Sequence, residues 1–291
     1  MKNILSYIKA LFRARGFKLD ISAVTKENAA ERRRTARLPL AWKPRHRGDL
    51  IRLGAQNDGG YVVTETAVRR AAVLVGLGVE HNWTFEEGFH RMTRCAVHCY
   101  DHTIGFDEFF KPAYLHAKAW AGGLEPLDMP KITLPFKYRR FFSGRKKHYA
   151  EKVGTGPGSS DFRKIFSRIP GDKPVFIKMD IEGWEYSVLS GLTDYYPRIT
   201  GLVIEFHHVI SFPEVMDYCI RELKQELDIV HVHVNNFSVT DGNGTPMTIE
   251  ITFENRSLRK GPDAESSLGY PVEGLDSPNN PALPDYTLEF Y

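Results

Sequence analysis

Three observations predict an α/β fold with a mainly parallel central sheet. From residue 71 onward, short apolar runs alternate with stretches of helical period; the first run ends in Gly-x-Gly ahead of a helix; and several runs end in charged residues. With 291 residues, 42% hydrophobic and 26% charged, the chain has enough apolar material for a sizeable core. The expected division is an N-terminal amphipathic helix with a basic linker over 1–48, followed by one domain over 49–291 that includes a Pro-rich tail.

The first helix is read from Ile4, Leu5, Ile8, Leu11 and Phe12, spaced at helical period with lysine and arginine between them. It could pack on its own domain, pack on a second copy to give a homo-oligomer, or lie on an anionic membrane surface. Next, "LIRLGAQNDGGYVV" reads as two strands joined by the turn Asn57–Gly60, since small and turn-forming residues tolerate positive φ. "AAVLVGLG" (71–78) is a buried strand, 84–93 a helix, and "CAVHCYD" (95–101) a second strand. The basic, proline-interrupted region 105–150 is expected to hold a short helix or hairpin and to form part of a lid.

A helix over 159–169 is expected with Ser159 or Ser160 as N-cap and Asp161 in its first turn. Strand "PVFIKMD" (174–180) follows, then a helix over about 183–192 and strand "GLVIEFH" (201–207). An amphipathic helix over 213–226 has Pro213 in its first turn. "IVHVHVNNF" (229–237) and "MTIEITFE" (247–254) are closing strands, and the proline-rich tail is expected to lie on the domain surface.

The formal net charge of +3 does not point to nucleic acid, and no nucleic-acid partner is expected. Locally, 31–37 and 139–148 are strongly basic; each is either solvated loop charge or a contact for phosphate. Cys95, Cys99 and Cys219 lack metal-ligand spacing and a disulfide framework. No apolar run approaches the roughly 18–20 residues of a membrane span, and no secretory leader is evident, so a cytoplasmic location is expected, with peripheral contact at the inner face of a membrane through the first helix as an extension.

Gly76 and Gly78 end the first buried strand, where a ligand could approach the backbone, but Glu80 stands where a dinucleotide fingerprint has its third glycine. Asp101, 25 residues after Gly76, is placed either to hydrogen-bond the ribose of a cofactor or to cap its own turn. Three further strand ends are polar on one side: Lys178, Asp180 and Glu182; Glu205 and His207; His231, His233 and Asn235. Open α/β sheets bind ligands at the carboxyl ends of their strands, where such charge can be solvated or ligand-paired.

"FIKMDIEGWEYSVLSGL" resembles the K-x-D-x-E-G-x-E-x-x-V-L segment of the FkbM-like methyltransferases. "RLGAQNDGGYVV", "LVGLGVEHNWTFEE", "AVHCYDHT", "IEFHHV", "VHVHVNNF", "IEITF" and "LDSPNNPALPDYTLEF" are similar to ordered landmarks of the methyltransferase-like branch of that family. The likeness covers roughly residues 50–291. It implies the class I methyltransferase fold, a Rossmann-like, mainly parallel sheet with a final antiparallel strand, and S-adenosylmethionine as cofactor. It further implies that Gly76 and Gly78 approach the cofactor, that Asp101 holds its ribose, and that Asp180 and Glu182 face the sulfonium or the acceptor. Asp58, Gly59, Gly60 and Tyr61 match the D-G-G-Y landmark of the same pocket. Leu74 and Glu80 depart from the broader class I pattern and bear on the contact to the methionine portion.

By the same resemblance, the expected reaction is O-methylation of a sugar hydroxyl on a glycan, a lipid-linked saccharide or a nucleotide-sugar, with segment 139–148 meeting a phosphate. The alternatives are methylation of another small molecule, such as a polyketide or peptide hydroxyl, and non-catalytic glycan or nucleotide binding. A hydroxyl needs help to lose its proton. His207 is the candidate base, oriented by Glu205 or Asp180, with His233 second; alternatively Asp180, Glu205 and His207 hold a divalent metal.

Overall fold

The computed structural model describes residues 34–124 and 126–291; the helix expected near the N-terminus lies outside them. Residues 34–48, expected as linker, are built into the domain. β1 (Arg34–Leu38) buries Ala36 and Leu38 and pairs in parallel with the last strand of the tail. Behind it, buried Arg47 donates to Glu254 at 2.5 Å and to Asp228 at 3.0 Å, so part of the basic charge is structural. The expected two-strand unit is the antiparallel pair β2 (Leu50–Gly54) and β3 (Gly60–Thr64), followed by α1 (Glu65–Arg70).

The chain then alternates strand and helix: β4 (Val73–Leu77), α2 (Thr84–Thr93), β5 (Ala96–Tyr100), α3 (Phe106–Ala121), α4 (Met129–Phe141) and β6 (Lys146–Tyr149). α5 (Phe162–Ser167), β7 (Val175–Met179), α6 (Glu185–Val188), β8 (Ile199–Phe206) and α7 (Pro213–Leu223) continue the pattern. β9 (Leu227–Val234), β10 (Ile249–Asn255) and β11 (Tyr286–Phe290) complete it. Region 105–150 is thus a helical hairpin plus a strand. The N-cap of α5 is Asp161, which accepts from the Lys164 amide at 2.8 Å; Ser160 is engaged by Glu151 instead. The helix expected over 183–192 is one short α-turn that tightens into 3₁₀ geometry from Leu189.

Strands β6-β5-β4-β7-β8-β10-β9 form a seven-stranded sheet, parallel throughout except for β10, which is antiparallel to both β8 and β9. This is the class I methyltransferase arrangement, with its last strand slotted inside the sheet rather than at its edge. Strand alternation divides the core. Val73, Val75, Leu77, Val175, Ile177 and Met179 face one side; Leu74, Val97 and Phe176 face the other, under Phe85 and Phe89 of α2.

Over β8, β10 and β9 this second side is polar yet buried. Glu205, Glu250, Glu254, His231 and His233 are covered by β3 and by the C-terminal tail. His233 Nδ1 and Nε2 meet Glu250 (3.2 Å) and Asp285 (2.9 Å), and His231 meets Asp276 at 3.2 Å. Burial alone would lower the His233 pKa, but its bonds to Asp285 and Glu250 outweigh burial and hold it well above 6.5. The second-choice base is therefore a strut that fastens the tail to the sheet.

A raised folded-state pKa gives stability that is complete below the unfolded value near 6.5 and fades as pH rises through the folded value. We expect urea denaturation to show this loss on the alkaline side for the wild-type protein. His233→Leu, which strands the buried Glu250 and the half-buried Asp285, should cost about 3–5 kcal/mol. A cost below about 1 kcal/mol, the range of an exposed pair, would refute the role.

Candidate active site

A cleft of about 520 Å³ opens over the carboxyl ends of β4, β5, β7 and β8. Three chain segments converge beneath it: the Gly78 amide donates to the Tyr100 carbonyl (3.0 Å) and the Asp180 amide to the Leu77 carbonyl (2.9 Å). Gly78 has φ +74°, and a Cβ there would stand 1.7 Å from the Asp180 carbonyl oxygen, so glycine alone lets these strands meet. The lining is acidic, with Asp58, Glu80, Asp101, Glu151, Asp180, Glu182 and Glu205 against Lys152 and Lys178. That donor set fits a cationic cofactor such as a sulfonium.

His207 follows the last residue of β8. Its carbonyl accepts from Tyr186 Oη at 2.8 Å, and its Nδ1 donates to Glu185 Oε1 at 3.1 Å. The same Glu185 oxygen accepts from the Ile181 and Gly183 amides, tying the β7–α6 turn to the imidazole. Nε2 is thereby turned to the cleft, 3.5 Å from Glu182, 3.8 Å from Glu205 and 3.9 Å from Asp180. Burial opposes the imidazolium, but Glu185, Glu205 and Asp180 outweigh it and raise the His207 pKa to about 9.

Lys178 lies below this group, donating to the Gly78 carbonyl (2.5 Å) and Asp180 (3.3 Å). Burial would discharge it, but Asp180, Glu86 and Glu205 keep its pKa above the usual lysine value. Glu205 goes the other way: burial first, then Asp180 and Glu250, push it well above the carboxylate range, which favours its neutral form. Tyr61 Oη bridges Asp180 (3.3 Å) and Glu205 (3.2 Å), and Asn235 donates to Glu205 at 2.8 Å.

The structure brings together most of the residues expected at the site, with altered roles. Asp58, Gly59, Gly78, Asp101, Asp180, Glu182, Glu205 and His207 line the cleft. Gly60, Tyr61 and Gly76 do not line it: Tyr61 reaches it only through its bonds to Asp180 and Glu205, and a Cβ at Gly76 would meet Glu86 Oε1 at 2.8 Å, so this glycine makes room for a buried carboxyl. Asp101 accepts from the Val79 and Glu80 amides through one oxygen and from Thr103 N and Oγ1 through the other. With roughly four acceptor positions on a carboxylate, its first duty is to fix two loops at the cleft, and a ribose would compete for them. None of residues 139–148 lines the cleft; the lysine that reaches it from that side is Lys152.

The residue that orients His207 is Glu185, rather than Glu205 or Asp180. Its only sequence signal was its place in the E-G-x-E run, with no partner visible nearby. The metal grouping also changes: ligand atoms of Asp180, Glu182 and His207 lie within 4.8 Å of one another, whereas Glu205 is held by Tyr61 and Asn235. Glu185→Gln should bring the His207 pKa down from about 9, as read by imidazole NMR titration; an unchanged value would mean that Glu185 does not govern the ring.

Residues 162–228 match the family profile described as the methyltransferase FkbM domain, a segment that runs from α5 into β9 and contains Lys178, Asp180, Glu182, Glu185, Glu205 and His207. No curated protein gives a significant match. Similar solved structures include the Methanococcus jannaschii fibrillarin pre-rRNA processing protein, at 9% identity, TM-score 0.35, over 65% of this chain and 68% of that one. Others are an rRNA methylase from Streptococcus thermophilus (10%, TM-score 0.35, 66% and 92%) and precorrin-6y C5,15-methyltransferase from Geobacter metallireducens (8%, TM-score 0.32, 64% and 80%). The FkbM domain match, on a sheet of the class I order, supports an S-adenosylmethionine-dependent methyltransferase.

Proposed function

We propose that this S-adenosylmethionine-dependent methyltransferase is an O-methyltransferase acting on a sugar hydroxyl of a glycan, a lipid-linked saccharide or a nucleotide-sugar. The observation that carries the reading is the Glu185–His207 pair, which presents Nε2 to the cleft beside Asp180 and Glu182. Trp184 and Phe237, both exposed, line the same cleft. Flat aromatic faces beside carboxylates suit a sugar ring, which offers apolar C–H faces and hydroxyl donors.

When bound, S-adenosylmethionine supplies a methyl group on a sulfonium, open to in-line displacement by the acceptor oxygen. Asp180 and Glu182 would stabilise that cation, and the backbone at Gly78–Glu80, which Asp101 fixes in place, would hold the nucleoside side. His207 takes the acceptor proton at Nε2. In the free protein its raised pKa keeps this position protonated at neutral pH. A cation held beside it disfavours the imidazolium and releases the base form.

Asp180, Glu182 and His207 also form a donor set that fits a divalent metal, which would bind the acceptor hydroxyl and lower its pKa. The test is transfer of a labelled methyl group into extracts of the source organism, with mass analysis of the product and calorimetry of cofactor binding. A saccharide product supports the proposal, and loss on chelation with rescue by one ion assigns the metal route. No cofactor binding overturns the whole reading, while a labelled polyketide or peptide overturns the sugar assignment.

A further inference from the structure

We propose that the α3–α4 hairpin is an interfacial anchor that docks this protein on an anionic lipid bilayer. Eight of the thirteen large apolar side chains that stand exposed among the described residues fall between residues 110 and 136, within this one hairpin. Along α3, Phe106, Phe110 and Tyr114 recur every four residues with successive rings stacked at 5.4 and 6.4 Å. The end of α3, the turn and the start of α4 add Trp120, Leu124, Leu127 and Met129, with Leu124 82% exposed. Isolated exposed apolar residues are ordinary; a contiguous aromatic and aliphatic face is not.

The hairpin is firmly seated by its other side. Phe109, Ala113 and His116 are buried, Phe109 packs on Trp83 and Tyr138, and the Asp128 amide donates to His116 Nε2 at 3.1 Å. The outward face is therefore a stable feature of the folded protein.

Charge selects the occupant. The hairpin, residues 106–141, carries six lysines and arginines against four acids, a net charge of +2, and Arg145, Lys146 and Lys147 just beyond it raise this to +5 in a chain whose total is +3. Near the tip, Asp128 caps α4 and pairs with Lys131, which mutes its charge. A second copy meeting this face through a two-fold axis would set the positive surface against itself. An anionic bilayer offers both requirements at once: an acyl boundary for the tryptophan, phenylalanine and leucine side chains, and headgroups for lysines whose stems can snorkel. None of the described helices is long and apolar enough to cross a membrane, so the contact is interfacial.

The hairpin springs from the carboxyl end of β5, where Asp101, His102 and Thr103 line the cleft. Docking here would bring the cleft to the headgroup layer and favour a membrane-borne acceptor; that consequence rests on the methyltransferase reading, whereas the docking itself does not. The test is co-sedimentation of the full chain with vesicles of phosphatidylcholine, with and without phosphatidylglycerol, in the absence of cofactor. Wild-type protein is expected to bind the anionic vesicles at least about tenfold more tightly. The Leu115→Glu/Leu124→Glu double variant should lose about tenfold or more while keeping its circular dichroism and thermal midpoint.

A companion variant with Lys2, Lys9, Arg13 and Arg15 changed to glutamine addresses the other basic amphipathic segment. Absence of anionic preference would overturn the proposal, as would vesicle binding that depends only on the N-terminal variant. So would hairpin variants that dissociate an oligomer in sedimentation while vesicle binding persists.

Discussion

His207→Ala is expected to lower kcat by about 10²–10⁴-fold while leaving cofactor affinity nearly unchanged. The imidazole is held at Nδ1 by Glu185 and aims Nε2 into the cleft, a geometry that serves proton removal and contributes little to holding a nucleoside. The base must be unprotonated to act. With its pKa raised to about 9 in the free protein and lowered again by a bound cation, kcat/KM for the acceptor at saturating cofactor should climb with pH across the neutral range and level off below that value. Initial rates with the acceptor found by label transfer, and calorimetry for the cofactor, provide the two readouts. Loss of cofactor binding with unchanged kcat would reverse the assignment, making His207 a binding residue.

Gly78→Ala should destabilise the fold by about 3 kcal/mol or more, combining a backbone clash with a left-handed conformation unfavourable to alanine. The atom in the way is the Asp180 carbonyl oxygen, at 1.7 Å from the new Cβ, fixed by its own strand and unable to swing aside. Relief requires the ends of β4 and β7 to part, which moves Asp180 and the floor of the cleft together. Any folded fraction should bind cofactor at least about tenfold more weakly. Gly76→Ala is the internal comparison, because the new atom meets side chains alone, Glu86 Oε1 at 2.8 Å and Cys99 Sγ at 3.3 Å, rather than backbone, and should cost less. Urea denaturation of the two variants measures the contrast, and equal stability of Gly78→Ala and wild type would refute the packing argument.

Local sequence carried much of this fold. The helix at 84–93, the buried strands β4, β5, β7 and β8, and the β2–β3 pair follow from periodicity and from turn residues, which act over a few positions. The D-x-E-G run and the E-x-H strand end could be placed at the carboxyl edge of a parallel sheet because alternation and chain direction dictate it. His207 and His233 could not be told apart in this way, since each lies one place from an apolar residue near the end of a strand.

Tertiary structure separated them. β10 inserts between β8 and β9, and the tail folds back so that Asp285, 52 positions beyond His233, closes over it. His207 instead meets Glu185, 22 positions before it, and keeps one nitrogen toward the cleft. Likewise Arg47 was readable only as linker charge until Glu254 and Asp228 came beside it. The outward aromatic face of α3 emerged only once Phe109, Ala113 and His116 were seen to be its inward one. Sequence by itself determined most of the sheet's strands and several helices, their parallel order of direction and the edge where charge gathers, because these depend on short-range period and chirality. Which charged groups face a ligand and which face one another was decided by strand order and tail closure, contacts between residues distant in the chain that no local pattern encodes.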